Sequence, residues 1–306
     1  MIFKSFGLFA ALLSGFFFYP NIQQAYAGLP GGGGDAGTYV QELSACRMAE
    51  QSRASILLSD PDQRRLELAR SFTRHLEARG QDPAVIRALY RASVKSGVDF
   101  ELLLLKAIME SDLGRATVAQ ESSARGVFQY IEPTWLTLIN RYGSQIGYAH
   151  YAHAISLTKS GIPYIKGRNT YLKAEILALR HDPEASALIK AYQILEETEV
   201  IKAFKGGEAV TATDHYIAHM LGLSLAKEFY DLQKTGSILA VAGLGRADMR
   251  EAAKLNRPFF YDGKKPLTAS ASYRRFERRV AKEMDNIRSV SNLKKQNCAQ
   301  TRTAQR

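Results

Sequence analysis

The sequence predicts an all-α fold. Acid-proline pairs that open helices recur along the chain, glycines close them at helix-length intervals, and runs with strand-like alternation are scarce. At 306 residues the chain can bury a substantial core and hold one large or two modest domains. No internal repeat at solenoid spacing is present.

The elements follow in order. Met1-Ile-Phe-Lys4 is a basic start, residues 6–19 are apolar, and Ala25-Tyr-Ala27 has the small-x-small spacing of a cleavage site, so residues 1–27 read as a secretory signal peptide. The apolar core is shorter than the roughly 20 residues a bilayer-spanning helix needs, which favours removal over retention as an anchor. No cysteine sits at the cleavage site, so lipid attachment there is not indicated. Residues 28–37, Gly28-Leu-Pro-Gly-Gly-Gly-Gly-Asp-Ala-Gly37, carry too little side chain to pack and read as a flexible linker; the lack of a strand before them argues against a phosphate loop. An N-terminal helical segment over 38–81 precedes a main domain over 82–290, and 291–306 form a polar tail.

Within these bounds, Asp60-Pro61 and Asp82-Pro83 start helices near 61–79 and 83–96, stopped by Gly80 and Gly97. The run from Phe100 to Met109 is apolar on more than one face and reads as a buried helix ending near Gly114. Glu132-Pro-Thr-Trp135 opens another, with Pro133 at its first position and Glu132 where the helix dipole favours an acid. The stretch from Ser160 to Thr170, with Gly161, Pro163 and Gly167, reads as a loop, either a cleft wall or a simple connector. Asp182-Pro183 opens a long helix ending near Gly206, Thr213 caps one carrying Tyr216, Gly236 to Gly245 is a tight turn region, and Ser270 to Asn292 is a charged late helix.

The chemistry centres on Glu110. Desolvation at the end of a buried helix disfavours a carboxylate anion, and the helix C-terminus adds negative partial charge in the same direction, which suits a general acid. A buried Glu paired with Lys106, one turn earlier, is the competing reading. Downstream, Ser122-Ser-Ala-Arg-Gly-Val-Phe-Gln-Tyr130 combines a close-approach glycine, aromatics and an amide, the groups that stack on sugar faces and orient sugar hydroxyls.

These elements resemble those of the lysozyme-like lytic transglycosylases, the soluble-transglycosylase group related to goose-type lysozyme. The matching pattern is Glu110-Ser111 ending a buried helix, a small-residue turn through Gly126, then Val127-Phe-Gln129, followed by Thr134-Trp135, Ile176-Leu-Ala-Leu-Arg-His-Asp-Pro183 and Tyr216-Ile-Ala-His-Met-Leu-Gly222. It covers residues 85–285 and implies a lysozyme-like helical catalytic domain with extra N-terminal helices. Many members of the family carry Ala-Tyr-Asn-Ala-Gly where this chain has His215-Tyr-Ile-Ala-His219, so the asparagine contact is missing.

The resemblance implies a peptidoglycan lytic transglycosylase in which Glu110 protonates the oxygen leaving N-acetylmuramic acid and then acts as base on the muramoyl 6-hydroxyl, giving 1,6-anhydro ends. Glu110 would be catalytic, with Ser111, Gln129, Tyr216, Phe128 and Tyr130 binding substrate or supporting the acid, and Tyr216 beside Glu110. Ser111 and Gln129 read equally as structural turn residues. Glycosidases ordinarily use two carboxylates about 5–9.5 Å apart. Only Glu110 has the environment for such a role here, since Asp112, Glu121 and Glu132 read as exposed or capping; one acid suffices if the attacking hydroxyl belongs to the substrate. No cofactor is needed. A hydrolytic muramidase on the same fold and a non-catalytic wall-binding or assembly protein are the alternatives.

Composition agrees with export to a polyanionic partner. A net charge of +11 and a pI near 9.5 fit peptidoglycan carboxylates, anionic membrane or nucleic acid, and export argues against the last. The expected location is the periplasm and the expected partner peptidoglycan glycan strands, with envelope assembly machinery as a further candidate. In that oxidising compartment Cys46 and Cys298 are a disulfide candidate, against two free thiols or an intermolecular bridge. His150 with His153 and His215 with His219 have helical spacing, but Tyr216 stands where a zincin motif needs Glu; packed histidines are the default and no metal is expected. No nucleophile elbow or phosphate-loop pattern occurs. Tyr273-Arg-Arg-Phe-Glu-Arg-Arg279 reads as a solvated helix face, alternatively a docking face for anionic polymer.

Overall fold

A computed structural model describes residues 60–114, 123–237, 240–241 and 247–292. The signal segment, the glycine linker, Cys46, Cys298 and the tail beyond residue 292 lie outside the described residues, as does most of Gly236 to Gly245. Among the described residues the fold is all-α, with twelve α-helices and two small hairpins. No helix among them is long and apolar enough to cross a membrane.

The first helices form where the sequence signals place them. Asp60 accepts hydrogen bonds from the backbone of Asp62 and Gln63 and starts α1 (Pro61–Glu77), with Pro61 supplying a ready-made first turn. Asp82 accepts from the amide of Ala84 at the start of α2 (Ala84–Ser96), which Gly97 closes in the left-handed region at φ 78°. Next comes α3 (Phe100–Ser111), capped by Asp99; Leu103, Leu104, Leu105 and Ala107 are all fully buried, so apolar contact surrounds it. Its one buried acid near the start, Glu101, is neutralised by Arg64 of α1 and by Arg288 at 2.9 Å from the last helix.

Among the described residues, the next four α-helices after α3 lie within 132–204. In α4 (Glu132–Tyr142), Ile131 is the cap, so Pro133 occupies the second position rather than the first, and Glu132 pairs with Lys173 at 2.7 Å. After α5 (Ala149–Ala154), β1 (Ile155–Leu157) pairs antiparallel with β2 (Pro163–Ile165), so the segment from Ser160 to Thr170 expected to be a loop instead carries the second strand of a hairpin and most of a 3-10 helix over Gly167–Leu172. The reason is local: Thr158 accepts from the Ile162 amide, and backbone bonds link Thr158 with Ile162 and Gly161, tying the turn shut. Then come α6 (Lys173–Ala178) and α7 (Pro183–Phe204), the latter capped by Asp182.

Helix α7 is the centre of the molecule. It runs along α2 and also packs on α3 and α4, burying Ile189, Ala191, Ile194 and Ile201 together with the ammonium-bearing Lys190. The next helix, α8 (Ala212–Leu221), is capped by Thr211 rather than Thr213: Thr211 and Asp214 form a reciprocal capping box. Asp214 is fully buried and also meets Lys205 at 2.7 Å, Tyr230 at 2.9 Å and Tyr273 at 3.2 Å, joining α8 to its neighbours α9 (Leu223–Lys234) and α12 (Ala269–Asn292). Between them lie α10 (Ala247–Leu255), α11 (Arg257–Phe260) and the hairpin of β3 (Tyr261–Asp262) with β4 (Lys265–Pro266). Phe229, Phe260 and Phe276 stack edge-on in this part of the core.

Candidate active site around Glu110

Glu110 lies in the last turn of α3, its side chain 13 % exposed. It is therefore shielded without being sealed. The helix ends one residue later, earlier than the glycine signal suggested, because Asp112 (φ 51°) and Leu113 (φ 58°) already turn left-handed before Gly114. Non-glycine residues rarely adopt this conformation, and the third such residue among those described is Gln129 (φ 47°) in the facing turn. Backbone held in a costly geometry thus flanks the acid on both sides.

Ser111 explains how the two segments meet. Its fully buried hydroxyl donates to the carbonyl of Val127 at 2.7 Å and accepts from the amide of Gly114 at 2.8 Å, latching the helix end to the 123–130 turn. Gln129 donates from Nε2 to the carbonyl of Gly126 at 2.7 Å, so its amide braces the turn it belongs to. Arg125 and Tyr130 close that turn through paired backbone bonds. Gly126 is required there: at φ 78° an added Cβ would lie 1.8 Å from the carbonyl oxygen of Arg180. Arg180 in turn donates to the carbonyl of Ser123 at 2.8 Å, and Trp135, fully buried, donates from Nε1 to the carbonyl of Ile176 at 2.6 Å. Two stretches that stand apart in the sequence, 123–135 and 176–183, are thus one unit.

Phe128 and Tyr130 face inward. They are 2 % and 4 % exposed, so neither ring offers a face for sugar stacking; the ammonium of Lys190 instead lies 5.1 Å and 4.8 Å from their centroids. Their contribution is support from beneath. Tyr216, expected beside the acid, packs edge-on against Phe259 and Phe276 at 5.8 Å each, and burial pushes its phenol up to about 12. Further along α8, one turn on, His219 brings its Nδ1 to 3.3 Å from Oε1 of Glu110.

Behind the acid lies a buried charge cluster that the sequence did not reveal. Lys106 is not the partner of Glu110; its ammonium donates to the carbonyl of His215 at 2.9 Å. Burial holds Lys106 down to about 8, with Glu197 and Glu110 pulling upward and Lys190 adding to the depression. Glu197 on α7 behaves oppositely. Burial alone would raise it, but the His215 imidazole and the ammoniums of Lys106 and Lys190 outweigh that and hold its carboxyl at about 2. Gln193 bridges Glu197 to the hydroxyl of Tyr130 through bonds of 2.9 Å and 3.0 Å. His215 sits 3.6 Å from Glu197 through Nδ1 and 3.2 Å from Thr198 through Nε2.

His219 completes the set. Burial lowers it below the usual imidazole value; Glu110 opposes this, while Lys106 and Lys190 reinforce it and Glu197 opposes. A neutral ring therefore faces the acid at neutral pH. Among the described residues no group of three or more His, Cys, Asp or Glu side chains is placed to hold a metal ion. The arrangement as a whole is a largely shielded carboxyl beside a neutral imidazole, set on a braced turn and backed by an ionised carboxylate in the field of two buried lysines. It can give and retrieve a proton at one position. A scan against protein-family models finds none that matches the chain.

Proposed function

We propose that the protein is an exported, periplasmic lytic transglycosylase that cleaves the β-1,4 bond between N-acetylmuramic acid and N-acetylglucosamine in peptidoglycan. Glu110 protonates the leaving oxygen, the substrate's acetamido group supports the developing cation, and Glu110 then removes the proton from the muramoyl 6-hydroxyl as it closes on the anomeric carbon. The product is a 1,6-anhydro end, formed without net uptake of water.

The observation that carries this reading is the position of Glu110: 13 % exposed, on the last turn of a buried helix, against an imidazole and beside the braced turn. A group that acts first as acid and then as base works best when neither fully exposed nor ion-paired. The nearest rival, a hydrolytic muramidase, needs a second carboxylate to activate water or attack the sugar. Glu197 shares neighbours with Glu110, but held at about 2 by His215 and the charges of Lys106 and Lys190 it is a poor base. That supports the intramolecular route. The lysozyme-like character of the fold belongs to the same proposal and rests on the motif pattern from Glu110-Ser111 to Gly222.

The test is digestion of purified sacculi, with released muropeptides read by mass spectrometry. Anhydro-ended products one water lighter than reducing-ended ones are expected; reducing ends alone support the hydrolase, and no release by a folded protein supports a binding role.

A further inference from the structure

His219 is absorbed by none of the roles above, although it lies in contact with the acid. Its Nδ1 touches Oε1 of Glu110 at 3.3 Å, and both side chains are similarly shielded, 15 % and 13 % exposed. The charged groups that bear on this ring come from two further helices: Glu110 and Lys106 on α3, and Lys190 and Glu197 on α7. Two of these are already engaged. Lys106 is held by the His215 carbonyl and Lys190 lies over the rings of Phe128 and Tyr130, so neither ammonium supplies Oε1 with a partner.

The geometry points to His219 as the positioning residue of Glu110: from its 3.3 Å contact the Nδ1–H closes onto Oε1 once substrate is bound, so that the working proton is confined to Oε2. This rests on the transglycosylase reading above and deepens it. A carboxyl has two oxygens, and an acid that must deliver and then recover one proton loses efficiency if the proton or the carboxylate charge is shared with the wrong one. With Oε1 occupied by an N–H donor, the proton on Oε2 passes to the glycosidic oxygen as the bond from that oxygen to the anomeric carbon breaks. Oε2 then takes the proton of the 6-hydroxyl as the bond from that oxygen to the same carbon forms. His219 gains and loses no proton over the cycle, and its single donor bond serves Glu110 in both states.

The role has a pH signature. An imidazolium beside Glu110 would hold the carboxyl ionised and deprive the leaving oxygen of its proton. Burial keeps that protonation below the usual imidazole value, so the neutral ring, and with it activity, persists down to mildly acid pH.

The experiment compares wild type with His219→Asn, His219→Phe and Glu110→Gln on purified sacculi, following anhydro-muropeptide release against pH. His219→Asn keeps an N–H donor at the place of Nδ1, whereas His219→Phe keeps the ring volume and loses the donor. The expected result is a fall in kcat of about 10²-fold for His219→Phe with KM little changed, recovery to within about 10-fold of wild type in His219→Asn, and loss of the acid limb in His219→Asn because the amide does not titrate. A merely structural role predicts the reverse order, with His219→Phe at least as active as His219→Asn. That order, or an acid limb identical in wild type and His219→Asn, overturns the inference. Persistence of anhydro release in Glu110→Gln overturns the underlying function instead, so the two failures are distinguishable.

Discussion

Replacing Glu197 by Gln probes the buried cluster that supports the site. In the folded protein Glu197 is held at about 2 against an ordinary 4.5, chiefly by His215, Lys106 and Lys190 acting against its burial. By linkage that difference corresponds to about 3 kcal/mol of stability. The sign follows from the direction: a carboxyl depressed by folding contributes fully above its unfolded value and loses the contribution as pH falls from 4.5 towards 2. Glu197→Gln removes the anion and leaves two buried ammoniums, Lys106 and Lys190, without their shared counter-charge, so a cost of about 3–5 kcal/mol at neutral pH is expected. The assay is urea denaturation of both proteins across pH 2–7. Wild type should lose stability steeply below pH 4.5, the variant should lose correspondingly less, and the two curves should converge in acid. A variant within about 1 kcal/mol of wild type at pH 7, with a parallel pH dependence, would refute the reasoning.

Two further substitutions test the turn. Gly126→Ala places a Cβ into the Arg180 carbonyl at a left-handed φ, and a loss of about 1–3 kcal/mol is expected by thermal or chemical denaturation, with lowered sacculus digestion because the turn must shift; unchanged stability would contradict the close approach. Ser111→Ala leaves the Val127 carbonyl and the Gly114 amide without their buried partner, a loss of about 1–3 kcal/mol. If Ser111 served substrate alone, the same change would lower activity and leave the denaturation midpoint in place.

Much of the helical framework was legible in the sequence because helix starts are local. Asp60-Pro61 and Asp182-Pro183 announce α1 and α7 through short-range capping, and the ends at Glu77 and Phe204 fall within a few residues of Gly80 and Gly206. Errors arose where two local signals compete: Thr211 and Thr213 both look like caps, and the acid three residues after Thr211 decides between them. The hairpin from Ile155 to Ile165 escaped notice because three-residue strands, one beginning with Pro163, leave almost no alternation to read. Glu110 is legible because it closes a largely apolar run just before a serine and a glycine stop. The aromatic character of Phe128 and Tyr130 was equally visible, but their inward orientation depends on Lys190, sixty residues on along the chain. Glu197 and His219 were unreadable for the same reason: each gains its role from a neighbour on another helix, a matter of packing that no spacing encodes.

The central claim is that one carboxyl, Glu110, cuts the glycan by moving a proton twice while the substrate supplies its own nucleophile. Digestion of purified sacculi in heavy-oxygen water, by wild type and by Glu110→Gln, tests this most directly. Wild type should release unlabelled muramoyl ends, each lighter by one water, and the variant none. Ends carrying the heavy oxygen, or undiminished release by Glu110→Gln, would contradict it.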